Sequence, residues 1–198
     1  MTSTIAHIHK KVFELIQDDI LNTQILDVGA GDGEFEKLLL SYGVTPENII
    51  ACDNCPERFG AKGLKCIKMD LDEDWRFNSE NFDIVVSIET AEHLKNLWHH
   101  LDEAYRVLKQ NGILILTTPN VQNFVARLYY LFTSKLPGFG VLKGYDFGHI
   151  LPIFDWILEG AINGKFIIEK RVRCGKTLKI LPFAPTNIWK LRKVIYDG

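Results

Sequence analysis

The chain has 198 residues, enough for one domain with a real core, and its 46% apolar and 24% charged residues exclude a disordered or fibrous protein. A formal net charge of −2 gives no general attraction to nucleic acid. No stretch approaches the ~20 apolar residues of a transmembrane helix, and "MTSTIAHIHKKVFELI" lacks the basic, apolar and small-residue order of a signal peptide.

In chain order, "TQILDVG" (23–29) reads as a strand and "GEFEKLLLSYG" (33–43) as an amphipathic helix closed by glycine. "NIIACD" (48–53) and "LKCIKMD" (64–70) are a second and a third strand, and "FDIVVSI" (82–88) a fourth. The helix "LWHHLDEAYRVLK" (97–109) leads to a fifth strand, "GILILTTP" (112–119). These strands are continuously apolar rather than alternating, the pattern of a parallel sheet covered on both faces, and strand–helix alternation predicts a doubly wound, Rossmann-like α/β fold. Residues 120–149 read as a helix followed by a Gly-rich aromatic stretch without a clear strand, the character of a lid over a site. "IFDWILEGAING" (153–164) predicts a helix, and 165–174 with 176–183 a closing hairpin. The tail "TNIWKLRKVIYDG" is amphipathic, suited to docking on a sheet or a membrane surface. With no repeat or linker, residues 1–198 read as a single domain.

Cys52, Cys55, Cys66 and Cys174 show no disulfide framework, and a lone Cys52-x-x-Cys55 does not predict zinc. Reduced thiols in a cytoplasmic protein are the expectation. From Lys165 to Lys193 nine Lys/Arg stand against one acid, Glu169. That run reads as a solvated face, or else as a patch for an anionic substrate or membrane surface.

The turn after the first strand, "LDVGAGDGEF", carries Asp27, Gly29, Gly31 and Gly33. Its glycines let backbone approach a ligand at the strand's carboxyl end. Asp53, 20 residues after Gly33, can accept hydrogen bonds from both ribose hydroxyls. A dinucleotide fingerprint needs Gly or Ala where Glu34 stands, and Asp27 and Glu34 would repel a pyrophosphate. S-adenosylmethionine (SAM) has no phosphate and carries an ammonium and a sulfonium, so the acids favour it over NAD.

"ILDVGAGDGEF", "IIACDN", "IKMDL", "FDIVVSIETAEHL" and "EAYRVLKQNGILILTTPN" resemble, in order and spacing, successive motifs of class I SAM-dependent methyltransferases. The resemblance covers roughly residues 20–120, more weakly to about 174. It implies a seven-stranded sheet, mostly parallel with one antiparallel strand. It also implies that Asp27 and the glycine turn hold the methionine end and Asp53 the ribose. Met69, Asp70 and Leu71 would border the adenine, with Ser87 beside the methionine moiety.

Glu89-x-x-Glu92-His93 follows the fourth strand at the sheet edge that would face the methyl donor. Three readings stand: a helix start with its acid on the dipole, a general base for an acceptor hydroxyl, or ligands for Mg²⁺ or Mn²⁺. The E-x-x-E-H pattern is similar to that of the ubiquinone-biosynthesis O-methyltransferases and the small-RNA 2′-O-methyltransferases. That similarity implies a divalent metal, with His149 as a further ligand. His7, His9, His99 and His100 have no partners at ligand spacing and read as surface or helix-face residues. Among the aromatics of 124–156, the helical ones are expected in the core and those of the Gly-rich loop in the lid.

The reading is a SAM-dependent methyltransferase acting on a hydroxyl of a small or modest-sized acceptor. Glu89, Glu92, His93 and His149 handle the acceptor. RNA 2′-O-methylation and a non-catalytic SAM-binding partner protein are the alternatives, the balanced charge arguing against RNA. A lipid-like substrate is permitted by the basic run and the tail. The sequence does not give the oligomeric state.

Overall fold

The computed structural model describes residues 3–20, 22–139, 141–142, 145–146, 148–174 and 185–194. A helix not foreseen in the sequence, α1 (Ser3–Ile16), comes first. Its Ile8, Val12 and Ile16 repeat every four residues and are buried, which gives it one apolar face. Then follow β1 (Ile25–Val28), α2 (Glu34–Ser41), β2 (Ile49–Asp53), β3 (Cys66–Lys68) and β4 (Phe82–Ser87). After these come α3 (Leu97–Val107), β5 (Leu108–Pro119), α4 (Phe124–Thr133) and a small hairpin, β6 (Val141–Leu142) with β7 (Tyr145–Asp146). The last elements are α5 (Asp155–Ile162), β8 (Phe166–Cys174) and β9 (Thr186–Lys193).

Seven strands form one sheet in the order β3-β2-β1-β4-β5-β9-β8. The pairs among β1 to β5 are parallel, and β9 runs antiparallel to both its neighbours. Helices cover both faces. One core layer joins Leu97 and Leu101 of α3 and Leu158 of α5 to Val85, Leu114 and Trp189; the other joins α1 and α2, through Val12, Phe35 and Leu39, to Ile84, Ile115 and Ile188. Strand order reverses between β1 and β4, and such switch points open a crevice at the carboxyl ends of the strands.

Several expectations are corrected. Residues 186–193, expected to dock on a sheet or a membrane surface, are the inner strand β9 of the sheet, with Trp189 and Leu191 buried. The place foreseen for 176–183 as partner of the preceding strand is taken by β9; 176–183 itself lies outside the described residues. The aromatics of α4 are also not core: Phe124, Tyr130 and Phe132 are exposed, and Ala126 is the buried residue of that helix. Of the seven described Lys/Arg of the basic run, four are closely paired with acids, while Lys170 and Arg173 are exposed. Lys165, Arg171, Lys190 and Arg192 pair with Asp102, Asp155, Asp19 and Glu169. Lys193 is buried, its ammonium over the Tyr105 ring and donating to the Leu108 carbonyl. Among the described residues no helix is long and apolar enough to cross a membrane.

Candidate active site

The chain leaves β1 through Gly29, Gly31 and Gly33, all left-handed, with φ of +83°, +57° and +80°. A Cβ on Gly29 would fall 2.3 Å from Thr90 Oγ1, so the turn closes against the loop after β4 only with glycine there. A Cβ on Gly31 would meet nothing within 4 Å, because this side of the turn opens into a cleft. The Gly29 and Ala30 N–H groups donate to the Cys52 carbonyl at 2.8 and 3.1 Å, tying the turn to β2. Gly31 N–H donates to Asp53 Oδ2 (2.9 Å) and Cys55 N–H to Oδ1 (2.7 Å). Each oxygen keeps a lone pair for a ligand hydroxyl.

The cleft measures about 540 Å³. Asp32, Asp53, Asp70, Asp72 and Glu89 line it against a single Arg58, and Met69 and Leu71 supply an apolar wall. That donor set fits SAM and repels a dinucleotide's pyrophosphate. Asp27 and Ser87, expected at the methionine end, stand behind the cleft rather than on its surface. Asp27 is buried against Glu36 of α2. Ser87 Oγ lies 3.0 Å from His100 Nε2, and both residues are fully buried. Burial pushes the His100 imidazole down to about 3, so it is a neutral core residue and not a surface histidine as its sequence suggests. His9 of α1 also reaches the cleft.

Glu89 opens the acid edge with φ of 48°, a left-handed conformation that a non-glycine residue holds at a cost. Its N–H donates to Thr117 Oγ1 (2.9 Å), whose hydroxyl lies 2.9 Å from Glu89 Oε1. Thr117 was not singled out in the sequence; a hydroxyl at the carboxyl end of an otherwise apolar strand was the available signal. Burial raises Glu89 to about 7, opposed by the Thr117 hydrogen bond.

Residues Ala91–His93 make one 3₁₀ turn instead of starting an α-helix, and it sends Glu92 inward. Glu92 is 0% exposed, and no donor among the described residues meets either carboxylate oxygen. Burial, then the Glu89 charge, hold its carboxyl well above the usual range. The Glu92 carbonyl accepts from the N–H groups of Ile150 and Leu151 at 2.9 and 3.0 Å, which pins the loop carrying His149 over the turn. His93 Nδ1 lies 3.0 Å from the Gly148 carbonyl and so carries the proton, leaving Nε2 for a ligand. The rings of His93 and His149 are 4.7 Å apart, and His149 Nε2 is 3.9 Å from Glu92 Oε1. Burial, then His93, lower the His149 pKa and favour its neutral form.

Glu92, His93 and His149 each offer a ligand atom within 4.8 Å of the others, the arrangement a divalent cation needs. Glu89, expected in the same set, is not in this group; it faces the cleft and is tied to Thr117. At the carboxyl end of the neighbouring β5, an apolar cavity of about 580 Å³ lies under α4, lined by Val121, Ala126, Tyr130, Leu136 and Phe154 with Gln122 and Arg127.

Residues 26–116 match the family described as "Methyltransferase domain". The chain is 37% identical over 133 residues to an uncharacterized methyltransferase of Bacillus subtilis (strain 168), covering 63% of this chain and 49% of that protein. It is 31% identical over 184 residues to a ubiquinone biosynthesis O-methyltransferase of Rickettsia prowazekii (strain Madrid E), covering 91% of this chain and 65% of that one. The chain thus spans less than two thirds of the length of these relatives. Among solved structures it resembles a SAM-dependent methyltransferase from Mesorhizobium loti, with a TM-score of 0.70 at 13% identity over 96% of this chain and 100% of that chain.

Proposed function

The chain belongs to the methyltransferases of class I, SAM-dependent fold, and from that premise we propose that it transfers the methyl group of SAM to a hydroxyl of a small acceptor at a divalent cation. The observation that carries this reading is the trio Glu92, His93 and His149, converging within 4.8 Å at the edge of the acid-lined cleft.

SAM supplies an electrophilic methyl group on sulfur. Asp53 would hold its ribose, Gly29 and Gly31 its methionine end, and Asp70, Met69 and Leu71 its adenine. Glu92, His93 and His149 would hold Mg²⁺ or Mn²⁺, which lowers the pKa of an oxygen bound to it. Glu89, raised to about 7 and facing the cleft, is suited to accept the hydroxyl proton. The His149 loop and residues 120–139 exclude water from the acceptor. The cavity under α4 favours an acceptor with an apolar substituent, and the balanced net charge of −2 disfavours RNA.

S-adenosylhomocysteine is expected to raise the melting temperature while NAD at equal concentration leaves it unchanged, since a ligand bound only by the native state stabilises by mass action. Stabilisation by NAD alone would remove the reading. Labelled SAM offered with catechols, prenylated phenols, sugars and RNA ends identifies the acceptor; methylation of RNA ends alone would replace the small-molecule reading. Segment 120–149 is expected to gain hydrogen-exchange protection when S-adenosylhomocysteine and acceptor are added. Equal, strong protection with and without them would make it ordinary core.

A further inference from the structure

Behind the glycine turn lie two acids that no step above uses as a pair. Asp27 is the third residue of β1 and is 2% exposed; Glu36, in the first turn of α2, is 0% exposed. Their carboxyls meet across the β1–α2 interface. Apart from their contact with each other and the backbone at Glu36, Asp27 Oδ1 and the Glu36 oxygens meet no donor among the described residues. Among the described residues no cation is found against the pair. From β2 come Asp53 and the Cys52 thiol, which donates to the Asp27 carbonyl at 3.5 Å; from the turn comes Asp32, and from β3 Cys66. His9 of α1 faces Asp32 and Glu34 rather than the pair, and Lys37 is turned outward onto Glu34.

Two buried carboxylates without donors cannot both stay charged. Burial and the Glu36 charge hold Asp27 well above the usual carboxylate range, and burial raises Glu36 to about 7. With a proton on each acid the pair is neutral, and it lies directly behind the turn that faces the cleft.

We propose that Glu36 is a positioning residue for the cofactor: it stands protonated beside a protonated Asp27 in the cofactor-free protein and releases its proton, Asp27 keeping its own, when a cation settles on the glycine turn. The inference rests on the proposed function, because SAM brings that cation as ammonium and sulfonium. The step is a proton transfer from the pair to solvent, and the carboxylate left behind then balances the ligand's charge. Binding tightens as pH rises, because the proton that must leave is already gone at high pH.

Calorimetry of SAM binding in buffers of different ionisation enthalpy, between pH 6 and 8, reads the released proton directly. The native chain is expected to release close to one proton at the low end, with affinity rising up to about tenfold per pH unit and levelling above about 7. Glu36→Gln keeps the size and removes the charge, so the release should vanish and affinity should stay near its low-pH value. A cofactor-free measurement guards against a misfolded variant. An acid whose pKa rises on folding keeps its proton in the native state and loses it in the unfolded one. Stability should therefore fall as pH climbs from 4.5 to about 7, and this fall should shrink in Glu36→Gln. SAM binding without proton release, an unchanged release in Glu36→Gln, or an unchanged fall in its stability would overturn the inference and leave the methyltransferase reading standing. No binding of SAM or S-adenosylhomocysteine at any pH would overturn both.

Discussion

Glu92→Gln is expected to lower cation-dependent methyl transfer about 100-fold or more, since loss of a partner even one shell removed from a metal typically costs 10–100-fold. Glutamine fits the same buried space, and Glu92 already favours its neutral form there, so the fold should hold. S-adenosylhomocysteine should bind nearly as in the native chain, because the groups proposed to hold it, Gly31 and Asp53, are joined to each other and not to Glu92. Activity of the native chain should disappear on chelation and return with Mg²⁺ or Mn²⁺, whereas the variant should not recover. Transfer at full rate by the chelated native chain would end the metal reading. Glu89, held by Thr117, would then be left as an unaided base.

Gly29→Ala should be the most damaging single change in the cofactor half of the cleft. An L-residue in the left-handed region costs about 1–2 kcal/mol from the backbone alone. The added methyl would also sit 2.3 Å from Thr90 Oγ1 and 2.6 Å from its Cγ2, far inside contact distance. The loop after β4 would have to move away from the turn, displacing the 3₁₀ turn that carries Glu92 and His93. Thermal denaturation and S-adenosylhomocysteine titration measure the two effects. The double change Gly29→Ala with Thr90→Ala should recover part of the loss, since Thr90 Cβ would still be 3.0 Å away and the positive φ remains. Full recovery would mean that the backbone conformation contributes nothing; an undamaged single variant would refute the close approach.

The strands β1, β2, β4 and β5 were legible because burial on both faces leaves an apolar signature, as in "ILDV", whose four residues are all buried. The glycine turn was legible for a similar reason: nothing but glycine fits against Thr90. His149 was reachable only through resemblance, because Ile150 and Leu151 bind the Glu92 carbonyl across more than 50 residues of chain. That the tail is an inner strand of the sheet was hidden because Lys190 and Arg192 interrupt its apolar run, although both are paired, with Asp19 and Glu169. Glu36 was passed over as a polar residue on an amphipathic helix. Its spacing from Leu39 and Leu40 places it on the inward face, and that periodicity was the signal to follow. The aromatics of α4 misled in the opposite sense, since a helix rich in Phe, Leu and Tyr normally turns them inward.

The insertion of β9 between β5 and β8 sets the order in which this chain can complete itself. β8 pairs with β9 and with no other strand of the sheet, so it has no edge to join until residues 186–193 are available. During synthesis from the N-terminus, the five parallel strands can assemble first, and β5 waits as an open edge with Leu114 and Leu116 in its apolar run. Closing that edge joins residues far apart in sequence, the kind of pairing that slows folding. A nascent chain halted before Thr186 would therefore hold its glycine turn and acid edge on a sheet with an unprotected flank, the condition in which strands recruit one another between molecules.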